Sequence, residues 1–217
     1  VIVTSGPTYE PLDPVRFIGN RSSGKQGHAI AAALAQAGAA VTLISGPVNL
    51  NDPDGVKTIH VETAQDMLNA CESGLPVDIA ICAAAVSDWR AKSPADQKIK
   101  KGDSKTPPAL ELIENPDILK TIATHKTRPH LVIGFAAETE NLIENAKAKL
   151  QKKSCDWILA NNVAENDVFG SDANHVTLVT NDHTGEWPPG DKETIARDIV
   201  QKIVQYFGNT QITQAAE

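Results

Sequence analysis

The sequence is poor in several kinds of residue, and each shortage excludes a class of protein. Its three cysteines are widely spaced and form no C-x-x-C pair, which argues against a disulfide framework or a zinc knuckle. No apolar stretch approaches the ~20 residues of a membrane span, and no signal peptide precedes the first predicted strand. Lysine and arginine total 20 against 27 acidic residues, a net charge of -7 that disfavours a general nucleic-acid partner. We therefore expect a cytoplasmic protein that holds anionic ligands through local positive groups.

The length of 217 residues suits one domain with a substantial core. We expect that domain to occupy residues 1–208 and residues 209–217 to form a frayed tail. The chain begins at Val1 inside a predicted strand and without an initiator methionine. From this we expect a domain excised from a longer protein.

Apolar, often β-branched runs alternate with helical patterns along most of the chain. Strands are predicted at residues 1–3, 39–45, 56–61, 77–86, 109–113, 131–137 and 156–160. Thr63 can cap a helix through Met67 to about Cys71. A hairpin is predicted within 175–187, and Asp191 can cap a last amphipathic helix. The pattern predicts an α/β fold: a Rossmann-like, doubly wound, mainly parallel sheet with a C-terminal antiparallel hairpin. Ligands of such sheets bind beyond the carboxyl ends of the strands.

Two glycine-bearing loops lie beside the first predicted strand. One contains Gly6, and the other, residues 20–27, runs directly into an alanine-rich helix. A helix N-terminus favours an anion such as phosphate. Nearby basic side chains add positive charge, namely Arg16, Arg21 and Lys25. The pattern is neither a Walker P-loop nor a complete G-x-G-x-x-G, and the alternative is structural: Ser22 caps the helix and Gly27 lets it pack on the sheet.

Three further features point to the same edge of the sheet. The run at 77–86 ends in Ala83 and Ala84, whose small side chains let a ligand approach the backbone or make room for a helix. Pro116 is suited to the first turn of the helix that follows 109–113. Lys149 and Lys153 lie four residues apart on one helix face, where they can point at phosphate or at water.

Residues 90–108 show no sustained hydrophobic period and contain five lysines among Pro, Gly, Ser and Asp. We interpret this segment as a flap whose lysines close over a polyphosphate. The alternative is an ordinary solvated charge run.

Six motifs occur in an order and at separations that resemble one enzyme family. They are SGPTYEPLDPVRFIGNRSSGKQG, ICAAAVSDW, KIKK, ENPDIL, GFAAET and FGSDAN. Together they span nearly the whole chain and are similar to phosphopantothenoylcysteine synthetase, the phosphopantothenate-cysteine ligase of coenzyme A biosynthesis. They look most like the bacterial CTP-using form, which is often the carboxy-terminal half of a bifunctional protein. The resemblance therefore implies a fused N-terminal flavin-dependent decarboxylase domain in the full-length protein.

The resemblance implies a two-step reaction with CTP as co-substrate and Mg²⁺ as cofactor. The carboxylate of 4'-phosphopantothenate attacks the α-phosphorus of CTP to give an acyl-cytidylate and pyrophosphate. The amine of L-cysteine then displaces CMP to form an amide. Both steps gather negative charge in one place, which calls for cations and fixed hydrogen-bond donors.

Residue roles carry over by position from the family motifs. Asn20 matches a catalytic asparagine that bonds the acyl-cytidylate, and Lys98 matches the flap lysine that promotes attack on CTP. Together with the glycine-bearing loops, the resemblance gives these binding residues: Gly6, Ser22, Ser23, Gly24, Gly27, Ala83, Ala84, Asp88, Asn115, Pro116, Asp117, Ile118, Leu119, Phe135, Lys149 and Lys153. Asp88 is placed to touch ribose, base or metal, and which group binds Mg²⁺ stays open.

The same residues allow two other functions and predict an oligomeric state. An oxidoreductase could hold NADP at Gly24-x-x-Gly27, with Arg21 on its 2'-phosphate, but the sequence has no Tyr-x-x-x-Lys catalytic pair. A non-enzymatic nucleotide-binding subunit of a flavoprotein would need neither a flap nor a separate Asn20 loop. A homodimer is expected through the hairpin at about 170–190, because exposed Val176, Leu178 and Trp187 would otherwise leave a hazardous sheet edge.

Overall fold

The computed structural model of the protein describes residues 1–100, 109–138, 140–162 and 173–214. Its helices are α1 (Lys25–Gln36), α2 (Ala64–Ser73), α3 (Ile118–Ala123), α4 (Leu142–Lys153) and α5 (Lys192–Gln214). Its strands are β1 (Ile2–Ser5), β2 (Tyr9–Asp13), β3 (Arg16–Gly19), β4 (Thr42–Ser45), β5 (Lys57–His60), β6 (Ile79–Cys82), β7 (Trp89–Ala91), β8 (Leu112–Glu114), β9 (Leu131–Glu138), β10 (Trp157–Asn162), β11 (Ala173–Asn174), β12 (Val176–Val179), β13 (Thr184–Glu186) and β14 (Gly190–Asp191). None of the helices in these residues has the length and apolarity to cross a bilayer.

Eight strands form the main sheet in the order β13-β12-β10-β9-β6-β1-β4-β5. The six from β10 to β5 are parallel, and β12 and β13 are antiparallel to their neighbours. The chain winds outward from β1 to β5 and then returns to β6 on the other side of β1. The Rossmann-like, mainly parallel sheet predicted from the sequence is therefore confirmed, and its switch point lies between β1 and β6.

Both faces of the sheet are buried, because successive residues of each strand point to opposite sides. On one face α1 and α5 pack on side chains that include Val3 and Ile81. On the other face α2 and α3 pack on side chains that include Ile2 and Ala80. This double burial explains why the strands are continuous apolar runs in the sequence.

The start of α2 agrees with the sequence prediction, and the start of α3 does not. Thr63 and Asp66 form a capping box at the start of α2, and the buried carboxylate of Glu10 accepts from the backbone N–H of Ala64 at 2.9 Å. The placement of Pro116 in the first turn of α3 was wrong. The side chain of Asp117 caps that helix, which begins at Ile118, so Pro116 precedes the cap.

Two short antiparallel ribbons, β2–β3 and β7–β8, lie outside the main sheet and contact each other. The sequence predicted a loop where β2–β3 forms, and the strand predicted at 109–113 is β8, which pairs with β7. Five large apolar side chains in and beside these ribbons are exposed over 45–60% of their area. We term them the apolar ribbon face, and they are Val15, Phe17, Trp89, Leu110 and Leu112.

The C-terminal hairpin is confirmed as β12–β13, but it continues the main sheet and its apolar residues are covered. Val176 and Leu178 are 0% and 1% exposed, and Trp187 packs against the core, so the expected exposed apolar edge was wrong. The reason is that α4 and α5 cover both faces of β12. Helix α5 also runs past Gly208 to Gln214, where a frayed tail was expected.

Candidate functional site

Two adjoining cavities open at the carboxyl ends of the parallel strands, around the switch point between β1 and β6. The α3 cavity has a volume of about 410 Å³ and reaches α3 and α4, and the α1 cavity has a volume of about 480 Å³ and reaches the start of α1. Their common wall is lined by Ala84, Val86, Asp88, Phe135 and Lys149. The two therefore form one cleft with two ends.

At the α1 end no side chain caps the helix. Gly24 occupies the N-cap position in the left-handed region, with φ of 74°, so the alternative in which Ser22 caps the helix was wrong. The close packing expected of Gly27 is confirmed, because a Cβ there would lie 2.4 Å from Ser5 Oγ. The first turn of α1 therefore lies directly against β1 and lines the cavity.

A buried hydrogen-bond network holds this turn. Ser5 Oγ donates to the Gly24 carbonyl oxygen at 2.8 Å, and it lies 3.0 Å from His28 Nδ1, which is 3.1 Å from the same carbonyl. Burial lowers the pKa of His28, so the ring is held neutral. Its Nε2 is buried and has no hydrogen-bond partner within the described part of the chain.

Asn20 lies on the wall of the α1 cavity. Its Nδ2 donates to the Ala85 carbonyl oxygen at 2.9 Å, and the Ala85 N–H donates to the Gly6 carbonyl oxygen at 2.9 Å. The Ala84 N–H donates to Thr4 Oγ1 at 3.2 Å. The segment after β6 is thus bonded to the β1 loop on one side and to Asn20 on the other.

The α3 end is organised by Asn115 and Asp117. Asn115 Nδ2 donates to the Ser87 carbonyl oxygen at 2.8 Å, and its Oδ1 accepts from Arg90 Nη1 at 3.1 Å. Asp117 accepts from the Lys120 N–H at 3.1 Å and forms an ion pair with Lys153. These side chains fix the loop between β8 and α3 against the segment after β6.

Lys149 stands where the two cavities meet. Burial, followed by the neighbouring charge of Lys153, lowers its pKa. A bound polyphosphate would offset both effects, because an anion favours the protonated amine. Lys149 and Lys153 both line the α3 cavity, so the predicted lysine face is directed at the cleft.

Lys98 is exposed and lines neither cavity. The backbone of the next residue is held by the β2–β3 ribbon, because Asp13 accepts from the Ile99 N–H at 3.1 Å and Arg16 donates to the Ile99 carbonyl oxygen at 2.9 Å. The side-chain hydrogen bond from Arg16 keeps the pKa of Asp13 well below its usual range. The rest of the predicted flap, residues 101–108, lies outside the described residues.

The structure brings together all the predicted site residues except Gly6 and Lys98. Those on the cleft wall are Asn20, Ser22, Ser23, Gly24, Gly27, Ala83, Ala84, Asp88, Asn115, Pro116, Asp117, Ile118, Leu119, Phe135, Lys149 and Lys153. Gly6 lies behind the wall. Its φ is +79°, and a Cβ there would lie 2.8 Å from Val48, so it shapes the β1 loop.

Sequence reasoning missed several wall residues, including Gln26, Asn161 and Lys192. Asn161 Oδ1 is buried without a hydrogen-bond partner in the described ranges. The only sequence signal for Lys192 was its position just after the predicted helix cap. The FGSDAN motif lies mostly outside the described residues.

Within the described residues no three His, Cys, Asp or Glu side chains come together as a metal site. Mg²⁺ in nucleotide sites is typically held by one or two carboxylates and the substrate phosphates. Asp88, exposed on the common wall, fits that pattern.

Residues 1–207 match the family model described as the DNA/pantothenate metabolism flavoprotein C-terminal domain. Two curated relatives are the coenzyme A biosynthesis bifunctional proteins CoaBC of Haemophilus influenzae and of Escherichia coli K12. Each is 44% identical to this chain, over 97% and 95% of it respectively. The chain spans about half the length of these relatives, 52% in both cases. A crystal structure of the C-terminal domain of a CoaBC protein is similar with a TM-score of 0.80 and 40% identity, covering 96% of this chain and 95% of that one.

Proposed function

Because the chain belongs to the DNA/pantothenate metabolism flavoprotein C-terminal domain family, we propose that it is a phosphopantothenate-cysteine ligase of coenzyme A biosynthesis. It joins 4'-phosphopantothenate and L-cysteine through an acyl-cytidylate made from CTP. The observation that carries the proposal is that Asn20 and Lys149 line one cavity while Lys149 and Lys153 line its neighbour. An amide donor and a cation pair therefore share one cleft, as acyl transfer from a nucleotide requires.

In the first step a carboxylate oxygen bonds to the α-phosphorus of CTP, and the bond to pyrophosphate breaks. Two anions must approach each other, so positive charge near the phosphates lowers the barrier. Lys149 and Lys153 provide that charge from α4, and the ion pair with Asp117 fixes the position of Lys153. Lys98 acts on the nucleotide from the flap, as a mobile point charge.

In the second step the cysteine amine attacks the acyl carbon, loses a proton, and CMP leaves. Negative charge develops on the acyl oxygen, and a neutral amide can donate to it without titrating. Two observations support this role for Asn20: it lines the α1 cavity with Ala83 and Ala84, and its Nδ2 donates to the Ala85 carbonyl oxygen.

Mg²⁺ would neutralise charge on the triphosphate, and Asp88 is the carboxylate on the common wall that would hold it together with phosphate oxygens. The residues of the cleft position the carboxylate and the nucleotide around this group.

The working unit is a homodimer joined through the apolar ribbon face. The five side chains of that face are exposed in the single chain, and large apolar side chains that gather on a surface are typical of subunit contacts. The expected contact through β12–β13 loses its basis, since Val176 and Leu178 are buried. Sedimentation of the wild-type chain and of Phe17→Ser tests this proposal, and a wild-type monomer at micromolar concentration would refute it.

The activity is tested by incubating the protein with 4'-phosphopantothenate, Mg²⁺ and each nucleoside triphosphate. Pyrophosphate release with CTP, followed by CMP release on adding L-cysteine, supports the ligase. A spectral change of NADPH with a substrate would support the oxidoreductase instead. Tight nucleotide binding without turnover would indicate a passive binding subunit.

A further inference from the structure

Arg90 is a charged residue that stands beside the cleft and lines neither of its cavities. It belongs to β7 and pairs across the ribbon with Ile113 of β8. Its Nη1 donates to the Glu114 carbonyl oxygen at 2.6 Å and to Asn115 Oδ1 at 3.1 Å. Both acceptors lie where β8 leads into α3. One guanidinium group therefore holds two consecutive residues of this loop.

The hydrogen bond from Arg90 determines which way the Asn115 amide faces. A guanidinium group has only donors, so the amide must turn its oxygen towards it. The amide nitrogen then faces the segment after β6, where Nδ2 donates to the Ser87 carbonyl oxygen at 2.8 Å and the backbone N–H donates to the Asp88 carbonyl oxygen at 2.8 Å. An amide nitrogen carries two hydrogens, and the bond to Ser87 uses one of them. Because Asn115 lines the α3 cavity, the other hydrogen is left for an acceptor bound there.

We propose that Arg90 is a positioning residue for the nucleotide, because it orients the Asn115 amide so that its second N–H donates to an acceptor atom of CTP in the α3 cavity. This inference rests on the proposed function. If the amide were turned over, it would lose the bond to Ser87 and present an oxygen to the cavity. A donor whose direction is fixed before the ligand arrives loses less conformational freedom on binding.

Arg90→Gln removes the charge and the pair of hydrogen bonds that hold the loop. The Kd for CTP with Mg²⁺, measured by calorimetry, should rise about 10-fold, as for the loss of charge-assisted hydrogen bonds. The KM for 4'-phosphopantothenate should stay within about twofold, because Asn115 does not line the α1 cavity. Arg90→Lys should restore part of the CTP affinity, since an ammonium group lacks the planar fork that reaches both acceptors. If Arg90→Gln does not fold, Arg90→Lys carries the same comparison.

A double-mutant cycle with Asn115→Ala tests whether Arg90 acts through the amide. Asn115→Ala alone should also weaken CTP binding. In that background Arg90→Gln should change the Kd for CTP by less than about twofold, because the group that it orients is already gone. If the two losses multiply, Arg90 does not act through Asn115 and the inference is wrong.

Arg128→Gln is the matched control. Arg128 donates to the Ala123 carbonyl oxygen at 2.9 Å, at the other end of α3, and lines neither cavity. Its substitution should leave the Kd for CTP unchanged. Each variant is also sedimented, because Arg90 follows Trp89 of the apolar ribbon face; a loss of affinity found only together with a change of assembly would overturn the inference.

The failure of this inference is distinct from that of the ligase proposal. If the wild type turns over and Arg90→Gln binds CTP as tightly as the wild type, this inference is wrong and the ligase proposal stands. A wild type that releases no pyrophosphate with any triphosphate overturns both.

Discussion

The side-chain amide of Asn20 donates to the backbone carbonyl of Ala85 across a distance of 2.9 Å. This bond joins the loop before α1 to the segment after β6, two parts of the chain that are 65 residues apart. Asn20 is thereby held at the switch point of the sheet, with its side chain on the cavity wall. An amide at this position has a fixed direction before any substrate arrives.

Asn20→Asp should separate the two half-reactions. Aspartate cannot donate to the Ala85 carbonyl, and its charge would repel a developing oxyanion. We expect pyrophosphate release within a few-fold of wild type and CMP release on adding cysteine to fall about 10²- to 10³-fold. Rapid-quench measurement of both products checks this, with Asn51→Asp in an exposed loop as the control. Equal losses in both steps would contradict the role given to Asn20.

Lys98→Gln should have the opposite effect. Removing the flap charge should suppress pyrophosphate release, whereas hydrolysis or cysteine capture of a pre-formed acyl-cytidylate should be little changed. Lys100→Gln, an exposed lysine two residues along, is the comparison. If both substitutions slow the first step equally, the effect belongs to the general charge of the segment.

Gly27→Ala tests the packing of the first turn of α1 on β1. The new Cβ would lie 2.4 Å from Ser5 Oγ and 3.0 Å from Ser5 Cα, so the helix has to move away from β1. We expect the free energy of unfolding to fall by about 1–3 kcal/mol and the KM for 4'-phosphopantothenate to rise. Gly208→Ala, with no atom within 4 Å of its Cβ, should be neutral or stabilising by up to about 1 kcal/mol. Urea denaturation measures both.

His28 should make stability depend on pH. Its pKa in the folded protein is lowered by burial, whereas an unfolded histidine titrates near its usual value of about 6.5. Below that value His28 of the unfolded chain binds a proton, whereas the buried ring of the folded chain stays neutral. The free energy of unfolding therefore falls as pH falls. The loss is at most about 1.4 kcal/mol per pH unit, and it ends at the folded pKa.

Urea unfolding at pH 7.5 and pH 5.5 measures this contribution as the difference between wild type and His28→Gln. The variant should lose less stability between the two values. His130→Gln, at an exposed position, should follow the wild type. A variant whose stability falls as steeply as that of the wild type would show that His28 is not the source.

The sequence predicted those parts of the molecule whose patterns are set by burial. Continuous apolar runs marked the parallel strands, and Thr63 and Asp191 marked helix starts because their side chains accept from backbone N–H groups. The β2–β3 ribbon escaped prediction because its short strands carry exposed apolar residues, such as Phe17, in no regular period. The strand at 109–113 was predicted, but its pairing with β7 outside the main sheet was not. Val176 was expected to be exposed, since sequence alone does not reveal that two helices cover its strand.

The same distinction applies to the candidate site: features with a local sequence pattern were predicted, and features that depend on packing between distant segments were not. The lysine pair on α4 followed from helical spacing, and the small residues after β6 followed from their position at a strand end. Ser22 was weighed as a cap because serine favours that role, yet Gly24 in the left-handed conformation takes the position. Lys192 joins the cleft through the packing of α5 on α1, a contact between distant parts of the chain that no local pattern encodes.

The hold of Asp13 and Arg16 on Ile99 has a consequence for protein engineering. Ile99 lies more than eighty positions after the hairpin that holds it, and the two hydrogen bonds use its main-chain atoms and not its side chain. A change in the length of the hairpin turn should therefore shift the backbone beside Lys98, whereas a substitution of the Ile99 side chain leaves both hydrogen bonds available.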